Sequence, residues 1–132
     1  MTRHELRYKA MTILYQAFLY DSNNISYDIK DIVLEQIEDN NKFVNNLVNG
    51  VIEHRIEIDE LANRYLEDWD ILRLGFTDQA IIIMGIYEIL WTDTPDVTCI
   101  DEAVELAKEY SDEKVFRMIN GVLDKVYHSK ED

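Results

Sequence analysis

The side chains able to do chemistry in this 132-residue chain are three histidines, one cysteine and 27 carboxylates set against 13 lysines and arginines. A di-metal helical bundle needs Glu-x-x-His pairs projecting inward. Three residues before His4, His54 and His128 stand Met1, Val51 and Lys125, so no such pair exists. The chain also lacks His-Glu-x-x-His, Cys-x-x-Cys and any glycine-rich phosphate loop. Cys99 and the serines stand at cap or loop positions with no histidine close in sequence, so nothing marks an activated nucleophile. These patterns point away from an enzyme, a metal ion and a cofactor. The chemistry that remains is charge. Arg3 and Arg7 are one helical turn apart and share a face, with His4 beside them. A helix N-terminus adds about half a positive charge there, which suits a phosphate or another anion.

The bulk charge runs the other way. The formal net charge is −14, which disfavours general adhesion to nucleic acid. Residues 1–20 are the exception, with Arg3, Arg7 and Lys9 against Glu5 alone, a net of +2. A single cysteine excludes an intrachain disulfide framework and fits a reducing, cytoplasmic setting. No apolar run is long enough for a membrane span, and no signal peptide is evident.

One proline and four glycines leave little material for strand turns, and apolar spacing is helical nearly throughout. Seven helices are expected. Thr2 with Glu5 forms a capping box ahead of the stripe Leu6, Ala10, Ile13, Leu14, Ala17 and Phe18. Ser26 can cap a second helix facing inward through Ile29, Ile32, Val33 and Ile37, broken by Asp39-Asn40-Asn41. A third runs from Phe43 to about Glu57 and a fourth from Ile58 to Leu66, followed by a packed connector, Trp69 to Gly75. Thr77 can cap a fifth, Asp78 to Trp91, whose apolar residues point in every direction, the mark of a core helix. Thr98 opens a sixth and Ser111-Asp112 a seventh, and the polar tail 128–132 is expected to fray. Val48-Asn49-Gly50-Val51-Ile52-Glu53 and Ile119-Asn120-Gly121-Val122-Leu123-Asp124 echo one another. Both read as helical, and both glycines are expected to allow close helix packing.

The order of these segments carries a resemblance. Phe43 to Val51 (FVNNLVNGV), Ile58-Asp59, Trp69 to Leu74 (WDILRL), Asp78 to Ile81, Ile86 to Leu90 (IYEIL), Ile100 to Lys108 (IDEAVELAK) and Ile119 to Lys125 (INGVLDK) resemble the bacterial NusB family. The likeness runs from the basic first helix to residue 126. It implies an all-α fold in a single domain of two helical subdomains, three helices then four, here about 1–57 and 58–127. It also implies a non-enzymatic, RNA-binding transcription antitermination factor. Such a factor pairs with NusE, a small-subunit ribosomal protein, and binds the boxA element of nascent ribosomal RNA. It acts in an assembly with other Nus factors and RNA polymerase. By position, Arg3, His4 and Arg7 fall in the family's arginine-rich RNA-binding stretch, where Lys9 adds a further cation. Tyr65, Arg117 and Met118 align near further RNA contacts. Tyr15 and Asp78 align with positions facing NusE, although a core position is the alternative for Tyr15.

The chain departs from the family pattern at four places. Glu5 interrupts the basic run, His4 and Ile83 stand where arginine is usual, and Met118 replaces a phenylalanine that would offer a stacking ring. Each change weakens RNA contact. The alternative reading is therefore a protein-interaction module, NusE-binding or self-associating as a homodimer, with little RNA affinity of its own.

Overall fold

The computed structural model describes residues 1–37 and 41–130. Asp39 and Asn40 of the expected second break, and residues 131–132 of the expected tail, lie outside the described residues. Helix α1 (Arg3–Ser22) opens on the capping box: the Glu5 amide donates to Thr2 Oγ1 at 3.1 Å and the Thr2 amide to Glu5 Oε1 at 3.2 Å. Then follow α2 (Ile29–Gln36), α3 (Lys42–Glu53), α4 (Arg55–Tyr65), a 3-10 turn (Ile71–Arg73), α5 (Phe76–Trp91), α6 (Asp96–Tyr110) and α7 (Glu113–Ser129). The described residues are all-α. Among them, no helix is long and apolar enough to cross a membrane.

Several helix ends differ from the sequence expectation. Asp28, not Ser26, caps α2, its carboxylate accepting from the Lys30 amide at 2.9 Å. Helix α3 stops at Glu53, and His54 both closes it and opens α4, so the expected boundary at 57/58 falls inside α4. Helix α5 starts from Gly75 rather than Thr77, because the Gly75 carbonyl already accepts from the Gln79 amide at 2.9 Å. Helix α6 likewise starts after Pro95 rather than at Thr98, with Asp96 placed favourably in its first turn. His128 and Ser129 are still helical. The ammonium of Lys130 donates to the Ile89 carbonyl at 2.9 Å and to Asp96 at 3.0 Å, tying the chain end to α5 and α6.

Helix α5 is the axis of the fold. Its Ala80, Ile81, Ile82, Ile83 and Ile86 are fully buried, and it packs against α1, α3, α4, α6 and α7. Each such isoleucine contributes roughly 1.5–3 kcal/mol by leaving water. One contiguous core draws on all seven helices. Two glycines allow close approach. A Cβ on Gly50 would lie 2.1 Å from Cζ of Tyr87, and one on Gly85 would lie 2.8 Å from a Leu123 methyl. Gly121 does not behave as its echo of Gly50 suggests: it is exposed, and a Cβ there would meet nothing within 4 Å.

Candidate nucleic-acid interface

The capped start of α1 sits against α3, α5 and α6, and that packing sorts its basic residues. Arg3 is exposed, with its guanidinium 4.2 Å from the Phe43 ring centroid, a cation–π contact from α1 to α3. Lys9 is half-buried on the same helix. Arg7 is not presented to solvent as expected. It is 4% exposed, and its Nε and Nη2 donate to the two carboxylate oxygens of Glu88 on α5 at 2.8 and 2.9 Å. The cause is helical phase, since Arg7 continues the buried line of Met11, Leu14 and Phe18. Burial works against its charge, but the Glu88 carboxylate outweighs it and holds the Arg7 pKa above its ordinary value.

His4 is also engaged within the fold. Its Nδ1 lies 2.7 Å from Glu102 and its Nε2 2.8 Å from Glu109, both on α6. Hydrogen bonding to Glu102 raises its pKa above 6.5, and Glu109 adds to this against partial burial. As an imidazolium, His4 donates to both carboxylates and joins α1 to α6. Beside it the Tyr8 and Tyr110 rings stack at 4.9 Å. On α7, exposed Arg117 donates to Glu113 at 2.7 Å, one turn earlier on the same helix.

A second locus lies between the connector after α4 and the face of α7. It is a groove of about 550 Å³ with Tyr65, Trp69 and Arg73 on one side and Lys114, Met118, Gly121 and Lys125 on the other. Tyr65 and Met118 therefore come together here, whereas Arg117 faces a different depression between α6 and α7. Trp69, Arg73, Lys114 and Lys125 were not among the sequence candidates. The spacing 114, 118, 121, 125 is one helical stripe, and that was the signal available.

Tyr15 is 42% exposed and rests edge-on against Phe76, the first residue of α5, at 5.8 Å between centroids. Asp78, two residues further, is half-buried and accepts a hydrogen bond from the Ser111 hydroxyl at the end of α6. Cys99 is buried, and burial pushes its thiol up to about 12, so it is no nucleophile at neutral pH. Among the described residues, no group of His, Cys, Asp and Glu could hold a metal ion.

Known proteins are similar to this chain in sequence and fold over nearly its whole length. The NusB family model matches residues 4–128. A transcription antitermination protein NusB from Campylobacter jejuni (strain RM1221) is 41% identical over 130 residues, which is 98% of this chain and 98% of the relative. The chain belongs to the NusB family. The solved T. maritima NusB is similar with a TM-score of 0.85 at 30% identity, over 97% of this chain and 92% of that one. A crystal structure of antitermination factors NusB and NusE in complex with dsRNA matches with a TM-score of 0.78 at 25% identity, over 98% and 99% of the two chains. Within this NusB-family chain, the basic end is less free than its sequence suggests. Arg7 and His4 are satisfied by carboxylates of α5 and α6, which leaves Arg3 and Lys9 as the available cations of α1.

Proposed function

We propose that this chain is an RNA-binding transcription antitermination factor. It pairs with a NusE-type ribosomal protein, binds boxA in nascent ribosomal RNA, and works in the cytoplasm beside other Nus factors and RNA polymerase. The observation that carries this reading is the match of the whole fold, at 98% coverage, to a NusB solved with NusE and RNA. The Tyr15–Phe76 contact places an exposed tyrosine beside the start of α5, and a rigid ring of this kind suits a protein partner. A binding role fits the transcription antitermination proteins that the chain resembles, and the thiol of Cys99 is buried.

One set of contacts favours a reading in which RNA affinity depends on the partner. Arg7 and His4 are engaged by carboxylates of the chain itself, and exposed Arg117 pairs loosely with Glu113 on its own helix. On α1, Arg3 and Lys9 would neutralise about two phosphates, which contributes about −1.4 to the salt slope for single-stranded RNA at roughly 0.7 per phosphate. The net charge of −14 repels RNA elsewhere. A basic partner beside α1 would extend the phosphate track. The test is RNA affinity with and without the NusE-type protein at two salt concentrations. Affinity should rise on adding the partner, and equal affinity without it would refute the dependence.

A further inference from the structure

His4 makes a pair of contacts that only one of its protonation states can sustain. Glu102 and Glu109 lie about two turns apart on one face of α6. The imidazole sits between them, with Nδ1 2.7 Å from the first and Nε2 2.8 Å from the second. An ionised carboxylate only accepts, so holding both at once requires an N–H on each ring nitrogen. A neutral imidazole has one N–H; it keeps one carboxylate and turns a lone pair towards the other. The Glu109 side chain is 43% exposed and that of Glu102 27%, so Glu109 is the one released into water. The bridge thus carries one net negative charge when the ring is protonated, and two, one of them unpaired, when it is not.

We infer that the His4 bridge is a proton-operated switch on RNA binding at the start of α1: the charged ring masks Glu102 and Glu109 from a phosphate beside Arg3, and the neutral ring bares one of them to it. The switch rests on the RNA-binding reading and regulates that same basic end. Arg3, the next residue, is exposed and stands on the ring of Phe43, which follows Lys42 at the start of α3. The other charges around the bridge stay fixed while a histidine titrates. Thr2 holds the Glu5 carboxyl below its ordinary value, and, against burial, Glu88 of α5 holds Arg7 above its own. Glu105, between the two bridging carboxylates on α6, pairs with Lys108 at 3.7 Å. Desolvation, then Glu109 and Tyr8, push the Tyr110 hydroxyl up, so it stays neutral in the stack beside the bridge. Glu102 already draws the proton onto His4, and a bound phosphate draws it further. By linkage, RNA binds more tightly where the ring is charged, and affinity falls as pH rises through the His4 transition. One titrating group changes affinity by at most about tenfold per pH unit, and a proton held about tenfold more tightly in the complex separates the two plateaus by about tenfold.

The experiment uses the full chain with the NusE-type partner present. A labelled single-stranded RNA oligomer reports affinity by anisotropy from about pH 5.5 to 8.5 at fixed ionic strength, and the His4 ring is titrated by NMR with and without RNA. The parent's affinity should fall by about tenfold as pH rises around the His4 midpoint, and RNA should move that midpoint upward. His4→Arg keeps its charge throughout, so the ratio of its affinity to the parent's should grow with pH. Glu109→Gln should likewise gain on the parent at high pH, which a purely structural bridge would not produce. His54 and His128 remain in every variant, and melts followed by circular dichroism check that each is folded. Affinity ratios that stay constant with pH for both variants, or a His4 midpoint that RNA does not move, overturn the switch and leave the RNA-binding reading standing. If no RNA binds at any pH even with the partner, the RNA-binding reading fails and the switch falls with it.

Discussion

Replacing Arg7 should destabilise the fold, an effect that must be separated from any effect on RNA. The Arg7 and Glu88 side chains are each 5% exposed and are joined by two hydrogen bonds of 2.8 and 2.9 Å. Ile81, Met84, Cys99, Ala103 and Leu106 surround the pair, and only about 10 Å³ of free volume lies beside it, too little to hydrate a stranded charge. Arg7→Met leaves the Glu88 carboxylate buried alone, and Glu88→Gln leaves the guanidinium alone. Breaking a buried pair on one side costs about 3–5 kcal/mol. For a domain of this size that corresponds to a fall of roughly 10–20 °C in Tm. The double variant Arg7→Met/Glu88→Leu removes both charges and should recover most of the loss. Thermal melts followed by circular dichroism, with urea titrations for the free energies, check this. If the single variants cost under about 1 kcal/mol, as surface pairs do, the burial argument is wrong. Loss of RNA binding at unchanged stability would instead make Arg7 an exposed RNA contact.

The echoed glycines should respond in opposite directions. Gly50→Ala drives the Tyr87 ring off its seat and away from Trp91, which it stacks on at 5.9 Å, and should cost about 1–3 kcal/mol. Gly121→Ala meets open space and should gain about 0.4–1 kcal/mol by urea titration. The His4 pKa is raised in the folded state, so its contribution is fully present below pH 6.5 and is lost as pH rises through the folded value. The Tm advantage of the parent over His4→Gln should therefore shrink with rising pH, and a constant advantage would exclude the charged bridge. Tyr15→Ala should weaken binding to the NusE-type protein in calorimetry while the melt is nearly unchanged, since the ring is 42% exposed. Unaltered affinity would remove Tyr15 from that interface.

What the sequence discloses tracks how local each determinant is. The Thr2–Glu5 box lies within one turn, and the all-round apolar pattern of α5 needs no knowledge of its partners, so both are legible. Helix starts at Ser26, Thr77 and Thr98 were misplaced because good caps compete over short stretches, and Asp28, Gly75 and Pro95 stand where the chain turns. The fate of Arg7 depends on Glu88, 81 residues away, although its phase with Met11, Leu14 and Phe18 already pointed inward. Gly50 and Gly121 share a hexapeptide pattern yet differ because Tyr87 crosses one and nothing crosses the other. The groove was half visible. The resemblance supplied Tyr65 and Met118, but Trp69 and the α7 stripe join them only through the packing of α4 on α7.

The central claim is that this NusB-family chain and a NusE-type ribosomal protein form one RNA-binding unit. The most direct measurement is the affinity of a boxA RNA for each protein alone and for their mixture, beside a shuffled sequence, at two salt concentrations. The mixture should bind boxA more tightly than either protein alone by about 5- to 150-fold, the range of ordinary coupling energies. It should also prefer boxA to the shuffled RNA. A mixture that binds no tighter than its components, or that binds both RNAs alike, would contradict the account.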